Sequence, residues 1–228
     1  MRHTDALARL WPASALRVRA GDLELRWIDD ELLLDLAELA GRGIHDPGTM
    51  PFEHPWSRGS ADDVARNVLT YQWDIRGRIS PEAFALELAV LHDGVPVGVQ
   101  GLTARDWPVL QRVTTGSWLG REHQGRGVGT HMRMLVLHLA FEGLGAQEAT
   151  SGAFVDNAPS NAVSQRVGYE HDGAFHVARE GRAVLHSRYV MSRERWSAVR
   201  ADHEARLGAP IAMDGVEGLL AQIQPPAG

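Results

Sequence analysis

The sequence predicts an α/β fold of about seven strands with flanking helices, and three observations carry that reading. Short apolar runs with a period of two alternate with longer stretches of helical period. A glycine-rich run, Gln124-Gly125-Arg126-Gly127-Val128-Gly129-Thr130, stands between a strand-like segment and a long apolar helix. Further on, Asn157-Ala158-Pro159-Ser160 opens a helix that Gly168 stops: Asn is a strong N-cap, Pro tolerates the first turn, and Gly suits the C-terminal end.

Taken in order, Leu16 to Ile28 alternates as a first strand, and Asp29 or Asp30 caps a helix through about Leu39. A loop pinned by prolines runs from Gly41 to Gly59, followed by a helical stretch from Asp62 to Ile75. Ala85 to Leu91, Pro96 to Thr103 and Arg112 to Leu119 read as strands, and Asp93-Gly94 is a hairpin signal that makes the first two antiparallel. After the glycine run, Val128, Met132, Leu135, Val136, Leu139 and Gly143 share one helical face, while Met134, Leu137, Phe141 and Leu144 fill another. A helix apolar on so many sides is expected to be buried. Ala149 to Val155 is the next strand, and Phe175 to Glu180 and Ala183 to Met191 form the last two around Gly181.

The glycine run reads as an anion cradle. Glycines at every second position let the backbone turn tightly and converge several N–H groups on one set of oxygens, and the following helix adds the positive end of its dipole. A turn that needs only positive φ is the competing explanation. The P-loop pattern fails because no Gly-Lys-Ser/Thr follows, and the dinucleotide pattern fails in glycine spacing. Glu148 lies about twenty residues on, as that second pattern asks, but opens a strand instead of closing one.

What remains is Gln-x-x-Gly-x-Gly. Here Gln124, Gly127 and Gly129 resemble the acyl-coenzyme A pyrophosphate loop of the GNAT N-acyltransferase superfamily, and Asn157 to Tyr169 resembles that family's Asn-x-x-Ser helix ending in Gly-Phe or Gly-Tyr. The two motifs stand in the family's order, and the succession of elements from about Leu16 to Ser192 resembles its whole fold. The resemblance implies a mixed central sheet with flanking helices. It also implies acetyl- or succinyl-coenzyme A as cosubstrate, without a metal. The diphosphate would be held at Gln124 to Thr130 (Gln124, Gly125, Arg126, Gly127, Val128, Gly129 and Thr130), with Asn157 nearby and the backbone of Trp118 and Leu119 meeting the pantetheine. His123 stands beside the run as a further phosphate partner, whereas His131 and His138 read as core or interface residues.

The loop from Ile44 to Trp56 lies where relatives form the acceptor pocket. Asp46 and Glu53 are candidates to meet a substrate ammonium and His45 to assist; a purely structural loop with Met50, Phe52 and Trp56 in the core is the alternative. Together with Val97-Gly98-Val99-Gln100, Ser117-Trp118-Leu119-Gly120 and Phe154-Val155-Asp156-Asn157, this loop also resembles mycobacterial GNAT proteins described as succinyltransferases. A succinyl donor would need a cationic partner for its distal carboxylate, for which Arg105, Arg179 and His45 are available. Many relatives carry an acidic tyrosine seven residues after the helix asparagine, where this chain has Ser164. The Asn-x-x-Ser-Asn arrangement is instead similar to Rim-type ribosomal-protein acetyltransferases, which implies Ser160 as acid and Glu180 as base. Capping alone would also explain Ser160, and a hairpin turn Glu180. Asp46, Glu53 and Glu87 stand next as proton acceptors.

Composition supports one domain: 228 residues, 44% hydrophobic, bury a full core. With no cysteine, disulfides, thiolate metal sites and a cysteine acyl-enzyme are excluded. A net charge of −6 disfavours nucleic acid and favours a cationic acceptor such as a small-molecule or protein amine. No membrane span or secretion signal is read, so the cytoplasm is expected. The reading thus divides the chain into an acyltransferase domain, 1–192, and an extension, 193–228, whose Ile211-Ala212-Met213 and Val216 to Ile223 stretches cover either the domain or a subunit partner in a homo-oligomer. Pro225-Pro226 suggests an extended end. A catalytically silent acyl-coenzyme A sensor is the rival function.

Overall fold

A computed structural model describes residues 3–224. Nine strands form one mixed sheet in the order β7-β8-β6-β5-β4-β3-β2-β1-β9. The strands are β1 (Arg17–Ala20), β2 (Leu23–Trp27), β3 (Ala83–His92), β4 (Val95–Arg105), β5 (Arg112–Leu119), β6 (Glu148–Phe154), β7 (Glu170–Arg179), β8 (Arg182–Ser192) and β9 (Ala212–Asp214). The helices are α1 (His3–Leu10), α2 (Asp30–Gly41), α3 (Ala61–Ile75), the short α4 (Trp107–Leu110), α5 (Val128–His138), α6 (Ala158–Arg166), α7 (Arg193–Leu207) and α8 (Val216–Ile223).

The strand count exceeds the expected seven for two reasons. The single strand expected over Leu16 to Ile28 is a hairpin: the chain turns at Gly21, φ +58°, and Ala20 pairs with Leu23. Val18 and Ala20 are buried on one side of the turn and Leu23 and Leu25 on the other, so the alternation shifts phase by one at Gly21-Asp22, a two-residue turn signal that a single-strand reading passes over. The second addition is β9, three residues paired to β1 beyond the part read as sheet. β7 also begins five residues earlier than expected, at Glu170. Its first half is solvent-exposed, so hydropathy could not mark it, and a bulge lies between His171 and Ala174. Pro225-Pro226 lies outside the described residues.

The sheet is covered on both faces. Phe84, Leu86, Leu88 and Val90 of β3 face the larger core, with Met132, Leu135, Val136 and Leu139 of the α5 segment. Ala89 and Leu91, at the alternating positions, face the smaller core under α2 and α3, with Leu33, Leu36 and Val68. Asp29 caps α2 through a bond from Leu32 N–H, and Ser60 and Asp63 close a reciprocal capping box on α3. The helix after the glycine run is buried on nearly every side, as its composition predicts, and finishes in a π-turn over Leu139–Gly143. His138 is enclosed by Trp196 and His203, and burial pushes its pKa down to about 4; His131 is only partly buried. The apolar stretches after Arg193 contribute to the chain's own core: Trp196 stacks on Phe141 at 5.0 Å, and Leu219 and Ile223 are fully buried.

One topological feature positions everything that follows. β5 and β6 are parallel and pair only from Arg112↔Glu148 to Thr115↔Ser151; beyond that point they part, although β5 continues to Leu119 and β6 to Phe154. The fork is fixed from below by Arg133 of α5. Its Nη1 donates to Thr115 Oγ1 (3.1 Å) and Ser151 Oγ (2.8 Å), its Nη2 to Ser117 Oγ (3.1 Å), and its Nε to Gln100 Oε1 (3.4 Å). A buried guanidinium bonded to hydroxyls on both diverging strands holds their separation at a set width.

Candidate active site

The glycine run lies at the open end of the fork, where β5 hands over to α5. Gly125 and Gly127 have φ of +73° and +87°, and a Cβ at either would meet nothing within 4 Å. These glycines are therefore required by conformation, not by crowding. Gly127 is the N-cap of α5, and no side chain caps the helix. Among the described residues, the N–H groups of the five successive residues Gly125 to Gly129 donate to no acceptor. Five unpartnered donors at the positive end of a helix form a strong anion-binding array. Gly129 has no such constraint: a Cβ there would make ordinary contacts with Leu119 and Val163, at 3.7 and 3.8 Å.

Gln124 is used by the fold. Its Nε2 donates to Ile44 O (2.7 Å) and Leu119 O (2.8 Å), tying the acceptor-side loop to the end of β5. Leu119 and Trp118 lie on the diverged part of β5, whose edge away from β4 has no strand partner. Thr130 is buried and its Oγ1 accepts from Arg166 at 3.5 Å, whereas Arg126 is exposed beside the cradle. His123 stands 3.4 Å from Glu122. Asn157 caps α6, its Oδ1 accepting from Ser160 N–H at 3.3 Å. The Ser160 hydroxyl has no partner among the described residues and lies on the first turn of α6, immediately after β6 leaves the fork. Ser164 is buried inside the same helix, so it is not a counterpart of an active-site tyrosine hydroxyl.

On the opposite face, the loop after α2 is pinned to the β7–β8 turn. Arg58 Nε donates to Glu180 Oε1 at 2.8 Å and its Nη2 to Oε2 at 3.1 Å, while Nη1 reaches Pro47 O. Arg179 makes the second latch, paired bidentately with Asp156 (2.8 and 2.6 Å) and donating to Met50 O (3.1 Å). Glu180, expected as base, is thus held by Arg58, whose hydrogen bond keeps its carboxyl below the usual glutamate range and makes it a poor proton acceptor. His45 bonds Asp46 O and Ser57 Oγ through its two ring nitrogens, and Asp46 accepts from Gly48 N–H in a tight turn, so both shape the loop. Met50 is buried, and Phe52 and Trp56 pack with Trp118 against the smaller core. Glu53 is exposed, with its carboxylate 3.6 Å from Nε2 of His186.

The partners expected for a succinyl carboxylate fare unequally. Arg105 stands four residues beyond the Gly101↔Gly116 pair on the side away from the fork, roughly 13 Å along the strand. Arg179 is committed to Asp156, and His45 to its own loop.

Two further titratable groups lie on this face. Glu87 of β3 accepts from Tyr71 of α3 at 3.2 Å, and burial raises its pKa to about 7. His186 of β8 is only 8% exposed, and its Nδ1 has no partner. The one signal for Glu87 is a lone charge within the apolar run Phe84-Ala85-Leu86-Glu87-Leu88-Ala89-Val90-Leu91; His186 has no local signal.

Residues 22–170 match the family described as the acetyltransferase (GNAT) domain. A curated relative, "Putative ribosomal N-acetyltransferase YdaF" of Bacillus subtilis (strain 168), is 29% identical over 122 residues, 54% of this chain and 63% of the relative's length. The chain therefore matches less than two thirds of that protein. Among solved structures, RimL, a ribosomal L7/L12 alpha-N-protein acetyltransferase in complex with coenzyme A, superimposes with a TM-score of 0.62 at 20% identity, covering 77% of this chain and 97% of that one. Mycobacterium smegmatis RimJ, in complex with a coenzyme A disulfide, gives 0.64 at 18% identity, covering 87% and 96% of the two chains. A GCN5-related N-acetyltransferase from Brucella melitensis gives 0.67 at 18% identity, covering 84% and 85%. At these identities the solved structures establish a common fold, and with the match over residues 22–170 they place the chain in a family: it belongs to the GNAT acetyltransferases.

Proposed function

We propose that the protein is an acyl-coenzyme A-dependent N-acyltransferase that moves an acetyl or succinyl group to the primary amine of a small molecule or protein by direct attack in a ternary complex. The observation that carries the reading is the set of unpartnered N–H groups from Gly125 to Gly129 at the start of α5, beside a fork whose β5 edge is free to pair with an extended pantetheine arm. A diphosphate supplies the charge and oxygens that such an array binds. With the diphosphate there, the arm runs back along Leu119 and Trp118, and its acyl end comes to Gly116, where the strands part. In this reading Ser160, whose hydroxyl has no partner among the described residues, protonates the departing thiolate from the other bank of the fork. The names of YdaF and RimL favour a ribosomal protein amine among the possible acceptors.

The rival reading, a coenzyme A-binding sensor without turnover, draws on the capture of Glu180 by Arg58 and on Ser164 at the tyrosine position. Thiol release measured with acetyl- and succinyl-coenzyme A against a panel of primary amines and peptides separates the two. Amine-dependent release with mass gain on the acceptor is expected; donor binding without release from any amine leaves the sensor. Mass spectrometry of acyl-coenzyme A retained by the purified protein decides between the two acyl groups.

A further inference from the structure

The face of the sheet beneath α2 and α3 is open where the strands part. Gly101 of β4 pairs with Gly116 of β5, and Glu87 of β3 pairs with Gly101, so the three are in line across the sheet. Across the fork, Gly152 follows Ser151, the last residue paired with β5. The side-chain direction at all four is the face of Ala89 and Trp118, opposite α5. A Cβ on Gly101 would stand 2.7 Å from Glu87 Oε1, which means that the carboxylate leans over β4 toward the fork. A Cβ on Gly152 would stand 2.4 Å from Cε1 and 3.1 Å from Nδ1 of His186, so the imidazole leans over β6 toward the same gap from the other bank. Between them a Cβ on Gly116 would meet nothing.

Resting on the acyltransferase reading above, we propose that this saddle is the acceptor site: the reacting nitrogen of a primary amine sits over Gly116, bonded to Nδ1 of His186 and, through one water, to Glu87, which takes the ammonium's proton. The spacing fits. From above β4 to above β6 is about two strand separations, roughly 10 Å. An imidazole-to-nitrogen, nitrogen-to-water and water-to-carboxylate series spans about three hydrogen bonds of ~2.8–2.9 Å each.

The electrostatics fit as well. Glu53 lies 3.6 Å from Nε2 of His186, which favours the proton on Nε2 and leaves the Nδ1 lone pair as an acceptor. Burial lowers the His186 pKa, so the ring is neutral; Arg179 stands over the neighbouring Phe154 ring but is neutralised by Asp156. Tyr71, whose pKa is pushed up by burial and by Glu87, remains a phenol and holds the carboxylate in place. Asp74 and Arg76 are the other charged groups on this side of α3; Arg76 also lines the cleft beside Glu87 and is paired with Asp30. A base whose pKa is about 7 is half ionised at neutral pH and matched to the transfer.

Protons and bonds balance. The ammonium gives one proton to Glu87 through the water. The free amine's lone pair forms the C–N bond, the C–S bond breaks, and the second proton leaves the nitrogen to reach the thiolate by way of Ser160. Glu87 then returns its proton to solvent.

The test uses E87Q and Gly116→Val with the amine and donor found for the wild type, reading acceptor kcat/KM from pH 5.5 to 9 and coenzyme A affinity by calorimetry. Valine at position 116 has room for its Cβ and suits a strand, so folding is expected to survive. Wild-type kcat/KM should fall below a midpoint near 7. E87Q should lose this limb and about a hundredfold or more in turnover, and Gly116→Val should lose acceptor turnover, both with unchanged affinity for coenzyme A itself, which carries no acyl group to reach Gly116. If the wild type turns over and both variants match its rates and pH profile, the saddle is not the acceptor site and the function stands without it. If the wild type releases no thiol with any amine, the function and this inference fall together.

Discussion

The two banks of the fork contrast in construction. On the proposed donor side, the candidate cradle is one continuous run, whose N–H groups from Gly125 to Gly129 have no acceptor among the described residues. On the proposed acceptor side, the loop from Ile44 to Arg58, α3, β3, β8 and the β7–β8 turn would each contribute one or two side chains, brought together by the fold. A diphosphate is a fixed set of charged oxygens and can be met by a fixed backbone motif. An amine that differs between acceptors is met by side chains that can change one at a time without disturbing the scaffold.

The sharpest way to break that contrast is to damage the backbone cradle alone. Gly127→Asp places an L-residue at φ +87° and a carboxylate beside five N–H donors, away from the buried face of α5. Each lost N–H bond to a bound anion costs about 1–3 kcal/mol, so coenzyme A affinity should fall about a hundredfold or more. Circular dichroism should show retained secondary structure.

A smaller effect is expected at Ser160. Ser160→Ala leaves the Asn157 cap bond intact, because that bond uses the Ser160 backbone N–H. It should lower kcat by about tenfold or more while donor affinity stays unchanged, since a proton donor to the thiolate acts in the transition state. Equal losses in kcat and donor binding would make Ser160 a structural residue.

The smallest effect belongs to the latch. Arg58→Ala releases Glu180 and the loop carbonyl of Pro47. Exposed ion pairs are weak individually, so acceptor KM should rise only a few-fold, with coenzyme A affinity unchanged by calorimetry. A large loss of turnover would restore Glu180 as a group needed for chemistry.

The same contrast explains what could be read from the sequence. The glycine run, the capped α6 and the all-round apolar α5 are local patterns, and each lies in the structure where it was expected. The β1–β2 turn shows in the sequence only as a one-residue phase shift of the alternation at Gly21-Asp22, and β9 shows no period because it has only three residues. Glu180 looked available because a sequence does not reveal that Arg58, 122 positions away, closes on it. Glu87 and His186 are obscure in the sequence for the same reason: neither is adjacent in the chain to its neighbours in space, and only the line Glu87–Gly101–Gly116 across three strands brings one of them to the fork.

The division between a backbone donor site and a side-chain acceptor site is tested most directly by one paired measurement: coenzyme A affinity and acceptor kcat/KM on Gly127→Asp and Gly116→Val side by side. The account predicts that Gly127→Asp loses coenzyme A binding, whereas Gly116→Val binds it as the wild type does and loses amine-dependent turnover. Undiminished coenzyme A affinity in Gly127→Asp, or undiminished acceptor turnover in Gly116→Val, would contradict it.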